Sequence, residues 1–333
     1  MKRRLERSGA AVALLLLTLP AAAHHSRAIY DQERIVTMAG TVMRYEWTNP
    51  HIYLYIEAPN DAGDAVEWEL EGNVTTIMRR LGWSRETLVP GDAVTVHVNP
   101  ARDAGRTMAL IHSVEKAGVT LFASSAGLEA PPPLRADSLA GIWEIPVTPW
   151  IRQFSEPTSW SVTAAGAEGV AAYDDRTMNP QLQCTPRTAP WLMIFTGVQQ
   201  IELDDSTISI RTEYDTVERT VHMDVASHDG ATVTHQGHSI GRWEGDVLVV
   251  DTTHFADHRS GHARGIRSGS QKHLVERFEL SADRTSLIYR FELEDPEYLA
   301  APVTGELRAA YRPDLDFVQI ACDPETAGRF AED

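Results

Sequence analysis

Cysteine is scarce in this chain of 333 residues, which has only Cys184 and Cys322. No CxxC pattern marks a thiolate metal site or a redox site. If the chain is exported to an oxidising compartment, we expect one disulfide between the two. By restricting the unfolded chain, it would stabilise the fold by on the order of 4 to 5 kcal/mol. The alternative is two free thiols, which are possible soft metal ligands.

Long hydrophobic runs are also missing. The apolar run between Ala10 and Leu19 is well short of the roughly 20 residues that a membrane-spanning helix needs. It follows a basic start and precedes the small residues 21–23, which is the layout of an export signal. Residues 1–23 are therefore expected to be a signal peptide, cut after Ala23, of a soluble bacterial protein that is periplasmic or secreted. The alternative is a leader retained as a membrane anchor.

Positive charge is in deficit, with 30 Lys and Arg against 47 Asp and Glu and a formal net charge of −17. Such a surface repels phosphate backbones, and no basic stripe interleaved with aromatics offsets it, so a nucleic-acid partner is not expected. The hydrophobic fraction of 43% excludes wholesale disorder. The length exceeds what one core usually supports, which favours two domains.

The first domain is expected over residues 24–117. Alternating or β-rich segments bounded by turn residues predict five strands, and an Asn before an apolar run that ends at Gly82 predicts one short helix. The strands are expected at 35–45, 51–56, 65–70, 93–98 and 108–115, and the helix at 74–81. This order is typical of a five-stranded barrel of the OB type.

A linker rich in Ala, Ser and Pro is expected over residues 118–134, and a second domain over 135–333. Short strands recur there about every eight to twelve residues, which predicts an antiparallel barrel or sandwich. The protein is therefore expected to be mainly β. A lipocalin-like, or calycin-like, barrel is an analogy of fold only.

Several motifs of the first half resemble a known family: His24-His25-Ser26, Gly40-Thr41-Val42, the run Trp47-Thr48-Asn49-Pro50-His51, Gly82-Trp83 and Pro90-Gly91-Asp92. The family is a group of small exported bacterial proteins known as domain of unknown function 6152. The resemblance implies export and supplies no activity. The segment GRWEGDVLVVDT at 241–252, within a predicted hairpin at 237–253, resembles one in other uncharacterised secreted bacterial proteins and likewise names no function.

The expected start of the mature chain is a candidate copper site. After a cut following Ala23, His24 carries both a free amine and an imidazole, and His25 or His51 could supply a third nitrogen. The α-amine has a pKa of about 7.7 to 8 and is easily deprotonated, and copper(II) heads the divalent series for nitrogen ligands. A cut one residue earlier would still leave a copper motif through His25. The alternative is that these histidines bind only adventitiously.

The second candidate site lies on the predicted hairpin, where His238, Asp251 and His254 could provide acid and base groups. Ser239 is a poor nucleophile candidate because no elbow glycines flank it. His238 and His254 belong to a concentration of histidines: His222, His228, His235, His238, His254, His258, His262 and His273. The alternative is that these are surface histidines on loops.

Three functions follow as hypotheses. The preferred one is an exported protein that binds copper at its mature amino terminus. The first alternative is an enzyme or carrier for a small apolar molecule in the second barrel, and the second is an envelope interaction module without chemistry. Whether the protein is an enzyme is left open by the sequence.

Overall fold

Two closed β-barrels follow each other along the chain in a computed structural model. The structure describes residues 29–49, 51–60, 62–123, 132–145, 156–194, 197–213, 217–319 and 321–328. Both predicted folds are confirmed in their class: the described part of the chain is mainly β, with a five-stranded barrel first and a nine-stranded barrel second.

The first barrel closes through a parallel pairing of its third and fifth strands, while its other neighbours run antiparallel. Its elements are β1 (Val36–Glu46), β2 (Tyr53–Pro59), β3 (Ala65–Glu71), α1 (Thr75–Arg80), β4 (Ala93–Pro100) and β5 (Met108–Lys116). A further strand, β6 (Val119–Phe122), adds to β5. The sheet therefore continues into residues 118–134, which the sequence predicts to be a linker, because residues 119–122 add a strand to the edge of β5.

Strand alternation builds the core of this barrel. On β4, Val94, Val96 and Val98 are buried while the residues between them are more exposed, as expected for a sheet with one face toward a core. The long strand β1 pairs with both β2 and β4, and its register with β2 shifts between Val42 and Arg44. Gly40 on β1 permits a close approach to the backbone of β2, since a Cβ there would lie 2.6 Å from the carbonyl oxygen of Glu57.

The strands of the second barrel are β7 (Gly141–Ile145), β8 (Gly197–Leu203), β9 (Thr207–Thr212), β10 (Glu218–His222), β11 (His238–Glu244), β12 (Val247–Thr253), β15 (His273–Leu280), β16 (Ser286–Glu294) and β17 (Val303–Tyr311). Their order around the barrel is β10-β11-β12-β15-β16-β17-β7-β8-β9, with β10 and β11 parallel and all other neighbours antiparallel. The separate hairpin of β13 (His258–Ala263) and β14 (Ile266–Ser268) precedes β15.

Short helices and a disulfide complete this half. The helices are α2 (Ala164–Ala172), α3 (Asp175–Met178), α4 (Trp191–Ile194) and α5 (Pro324–Gly328). Cys184 and Cys322 are bonded, with their Cα atoms 5.7 Å apart, so the predicted bridge is confirmed. None of the helices in the described ranges combines the length and the apolar composition needed to cross a bilayer.

A cluster of buried apolar side chains lies inside the second barrel. Trp143, Phe278 and Tyr289 are fully buried there within one continuous apolar cluster. The same interior holds a buried ion pair between Arg219 and Glu276.

Described residues of the two halves are in contact. Arg80 of α1 donates from Nη1 to both carboxylate oxygens of Glu213, at 3.0 and 2.8 Å. The backbone N–H of Asp323 donates to the carbonyl of Asn49 at 3.1 Å. Because Asp323 follows the bridged Cys322, the disulfide fixes the segment that contacts the turn before His51.

Candidate functional sites

A buried carboxylate at the end of β3 holds the one predicted copper ligand that the structure describes. Glu71 pairs through Oε1 with Nδ1 of His51 and accepts a 2.6 Å hydrogen bond at Oε2 from the hydroxyl of Tyr30. Burial, followed by the charge of Glu71, raises the pKa of Tyr30, which therefore stays a protonated donor. We call Tyr30, His51 and Glu71 the amino-terminal triad.

The backbone brings these three residues together. His51 lies just before β2, whose first residue Tyr53 pairs with Glu71 on β3. Tyr30 forms a bridge with Ala101, and the neighbouring N–H of Asp31 donates to the carbonyl of Pro100 at 2.8 Å. The start of the described chain is thus fixed beside His51. His24 and His25 lie outside the described residues.

A second group of polar side chains lies on the outer face of the second barrel, where β10, β11, β12 and β15 run side by side. Successive residues of a strand point to opposite faces. Buried Val221, Ser239, Thr252 and Leu274 face inward, so each strand presents its neighbouring residue to the outside. We call the group the outer-face cluster: His222, His228, His238, Asp251, His254 and His273.

Asp251 links two histidines of this cluster. Its Oδ1 lies 3.0 Å from Nε2 of His228, and its Oδ2 lies 3.1 Å from Nε2 of His273. His228 comes from the connection between β10 and β11, and its second nitrogen, Nδ1, is 2.8 Å from Nδ1 of His238. The result is a continuous chain of contacts from His273 through Asp251 and His228 to His238.

The imidazole rings of the cluster are packed together. The ring centroids of His228 and His238 are 5.1 Å apart. The centroid of the His254 ring lies 6.0 Å from that of His228 and 6.4 Å from that of His238. His222 stacks on His238 at 5.1 Å. Partial burial, then the nearby His228, His222 and His254, lowers the pKa of His238, so the neutral ring is favoured.

The predicted catalytic residues His238, Asp251 and His254 all belong to the cluster. His228 is the residue that connects His238 to Asp251. His254 instead places its Nδ1 2.9 Å from the hydroxyl of Thr253 and has φ of 58°, which is uncommon for a residue with a side chain. Ser239 faces the opposite way and accepts from Nε of Arg219 inside the barrel.

His228, His222 and His273 were not predicted as site residues. Strand alternation could have identified His222 and His273, because each lies next to a buried residue on its strand and therefore faces outward. His228 lies in a connection between strands, where alternation gives no information. In the part of the chain that the structure describes, no group of three or more His, Cys, Asp or Glu side chains is placed so that it could hold a metal ion.

One histidine of the concentration is structural. His262 is buried, donates from Nε2 to Oδ2 of Asp295 at 2.7 Å and stacks on Trp160. Burial lowers the pKa of His262 to about 4 despite the hydrogen bond to Asp295, and the charge of nearby Lys272 acts in the same direction as burial. This ring is therefore neutral at physiological pH.

These observations define a protein of two consecutive β-barrels, each with a histidine held by a carboxylate at its surface. Over residues 12–110 the chain matches a Family of unknown function (DUF6152), which confirms the resemblance of the first half. The match covers most of the first barrel. The resemblance of the second half stays a prediction, and no curated protein matches the chain.

Proposed function

We propose that this protein is exported and captures a copper-class ion at its mature amino terminus, with the amine and ring of His24 and the ring of His51 as ligands. His25 is the alternative third ligand. The observation that carries this proposal is the contact of one buried carboxylate, Glu71, with both His51 and Tyr30.

The contact with Glu71 is the arrangement that metal-binding histidines usually have. Such a histidine binds the ion through one ring nitrogen and a carboxylate or carbonyl through the other, which fixes the ring and raises its basicity. Glu71 engages Nδ1 of His51, so Nε2 is the nitrogen assigned to the ion.

The chain can reach from the mature terminus to His51. Tyr30 contacts the same carboxylate as His51, and His24 precedes Tyr30 by six residues. A segment of that length spans at most about 20 Å when fully extended. The segment from His24 to Tyr30 is therefore long enough for His24 to fold back toward His51.

Copper is the favoured ion because the ligands are an amine and imidazoles. Copper(II) binds nitrogen ligands more tightly than the other divalent first-row metals and accepts the tetragonal geometry that a chelating amino terminus provides.

The test begins with the intact mass of the exported protein, alone and with one equivalent of copper(II). We expect a chain that starts at His24 and retains one copper. Copper affinity is then measured by chelator competition for the wild type, His24→Ala, His51→Ala and Glu71→Gln. Loss of the Glu71 contact should weaken binding by about 10- to 100-fold, and loss of His24 by more.

His97→Ala is the matched control, because His97 also lies on the first barrel but contacts Thr37 instead of a carboxylate. A mature chain that begins downstream of His25 would overturn the proposal. An equal copper affinity in His51→Ala and His97→Ala would exclude His51 as a ligand and leave His25 as the third one, whereas a wild type and a His24→Ala variant of equal affinity would overturn the proposal.

A further inference from the structure

We propose that the outer-face cluster of the second barrel is a general-base site, in which Nε2 of His238 takes a proton from a water molecule that attacks an uncharged ester. His228 and Asp251 are positioning residues that pass on and stabilise the resulting positive charge. The site shares no residue with the amino-terminal triad. It is therefore independent of copper capture at the mature terminus.

The first argument is the position of the protons between Asp251 and His238. An ionised carboxylate only accepts hydrogen bonds, so Nε2 of His228, which lies 3.0 Å from Oδ1 of Asp251, carries a proton. A neutral imidazole has one protonated nitrogen, so Nδ1 of His228 is an acceptor. Nδ1 of His238, 2.8 Å away, is then the donor, and Nε2 of His238 keeps its lone pair.

The second argument is where the charge goes when His238 takes up a proton at Nε2. The proton on Nδ1 of His238 can move to Nδ1 of His228, which leaves His238 neutral and makes His228 an imidazolium. That cation lies against the carboxylate of Asp251, which favours it. Asp251 is itself held at Oδ2 by Nε2 of His273 at 3.1 Å. A base oriented by further groups in this way is typical of active sites.

The third argument is that His238 is available to a substrate. Its side chain is partly exposed, and among the described residues Nδ1 is its only ring nitrogen with a hydrogen-bond partner. Partial burial, then the nearby His228, His222 and His254, lowers the pKa of His238. The ring is therefore unprotonated at neutral pH, as a general base must be.

The surroundings of His238 favour water as the nucleophile and an uncharged substrate. Ser239 faces the interior, the hydroxyl of Thr253 lies 2.9 Å from Nδ1 of His254, and the two cysteines are bonded to each other. The carboxylate of Asp251 lies beside neutral rings on a chain with a net charge of −17, which disfavours an anionic substrate.

The reaction that these groups support is ester hydrolysis. The oxygen of water bonds to the carbonyl carbon of the ester while one of its O–H bonds breaks, and that proton goes to Nε2 of His238. The bond from the carbonyl carbon to the leaving oxygen then breaks, and the same nitrogen returns the proton to that oxygen. The products are a carboxylic acid and an alcohol.

The experiment measures the hydrolysis of p-nitrophenyl acetate by the full mature chain, with EDTA present so that bound metal does not contribute. We expect saturable turnover with kcat at least about 100-fold lower in His238→Gln and with KM little changed, because general-base catalysis typically contributes this much or more. His238→Gln keeps an N–H that can donate to Nδ1 of His228 and removes the base. Added imidazole should restore part of the rate in His238→Ala.

Asp251→Asn tests the contribution of the carboxylate. Without it the His228 cation is less stable, so the base is weaker and the plateau of kcat should fall. The midpoint of the rise of kcat with pH should move to lower pH by about one unit, which a purely structural role would not cause. The other titratable groups that face these residues are unchanged in this variant: His222 of β10, His254 after β12, His273 of β15 and Glu294 of β16.

His235→Ala is the control, because His235 belongs to the same half but donates to the carbonyl of Pro186 and packs on His258. Thermal unfolding shows which variants are folded, and Asp251→Asn provides the test if neither His238 variant is. Equal kcat in the wild type, His238→Gln and His235→Ala would overturn the proposal and identify the cluster as a hydrogen-bonded network only. A wild type no faster than the same concentration of free imidazole would also overturn it. Because EDTA is present, neither result depends on whether the amino-terminal site binds copper.

Discussion

The inner and outer faces of one wall of the second barrel both carry polar groups, but those inside are buried and those outside are partly exposed. Inside, the guanidinium of Arg219 donates to both oxygens of Glu276, to Ser239 and to Thr252, and all of these side chains are buried. Outside, one residue away on the same strands, His238 and Asp251 remain partly exposed. A fully satisfied buried network specifies and stabilises a core. The hydrogen bonds of the outer face remain partly open to solvent, so we expect them to contribute less to stability.

The largest effect should come from breaking the inner pair. Arg219→Ala leaves the carboxylate of Glu276 buried without its cation, which typically costs about 3 to 5 kcal/mol of the free energy of unfolding. Urea unfolding measures the loss. The control is Arg277→Ala, next to Glu276 but exposed on the outer face, which should change stability by no more than about 0.5 kcal/mol. Similar losses in both variants would erase the distinction between the faces.

A buried histidine extends the comparison to pH. Since the pKa of His262 is about 4 in the folded protein and about 6.5 when unfolded, only the unfolded chain gains this proton between those values. Stability from the neutral ring is complete above about pH 6.5 and is lost as the pH falls toward 4, with a slope of at most about 1.4 kcal/mol per pH unit.

His262→Gln keeps a donor for Asp295 and removes the titration. In urea unfolding at several pH values, the stability difference between the wild type and His262→Gln should shrink from pH 6.5 to 4. Arg277→Ala, which retains His262, should follow the wild type over the same range. A difference that stays constant with pH would show that His262 titrates normally.

The smallest effect is expected on the outer face. Asp251→Asn removes the charge between His228 and His273 at a partly exposed position, and exposed ion pairs contribute about 0 to 1 kcal/mol. The free energy of unfolding, measured in urea without added metal, should therefore change by less than about 1 kcal/mol. A loss above about 2 kcal/mol would mean that the outer-face cluster stabilises the fold in the way the inner network does, and would contradict the difference between the two faces.

Part of the candidate site was predictable from strand pattern. His238 and Asp251 lie on a hairpin that the sequence identifies. Strand alternation places each of them next to a buried residue whose side chain points to the other face of the sheet. The same parity could have excluded Ser239 as a nucleophile, because it must face inward when His238 faces outward. The role of His228 could not be predicted, because the path of the connection between β10 and β11 decides whether it reaches Asp251.

The sequence by itself determined that the chain forms β-strands in two successive units, because side-chain alternation and turn residues are local properties. It also determined that its two cysteines could pair only with each other within the chain. Only the tertiary structure decided which polar groups meet. Barrel closure and strand register set the distances between residues far apart in sequence. They bring Tyr30 within hydrogen-bond distance of Glu71, and His228 within hydrogen-bond distance of Asp251.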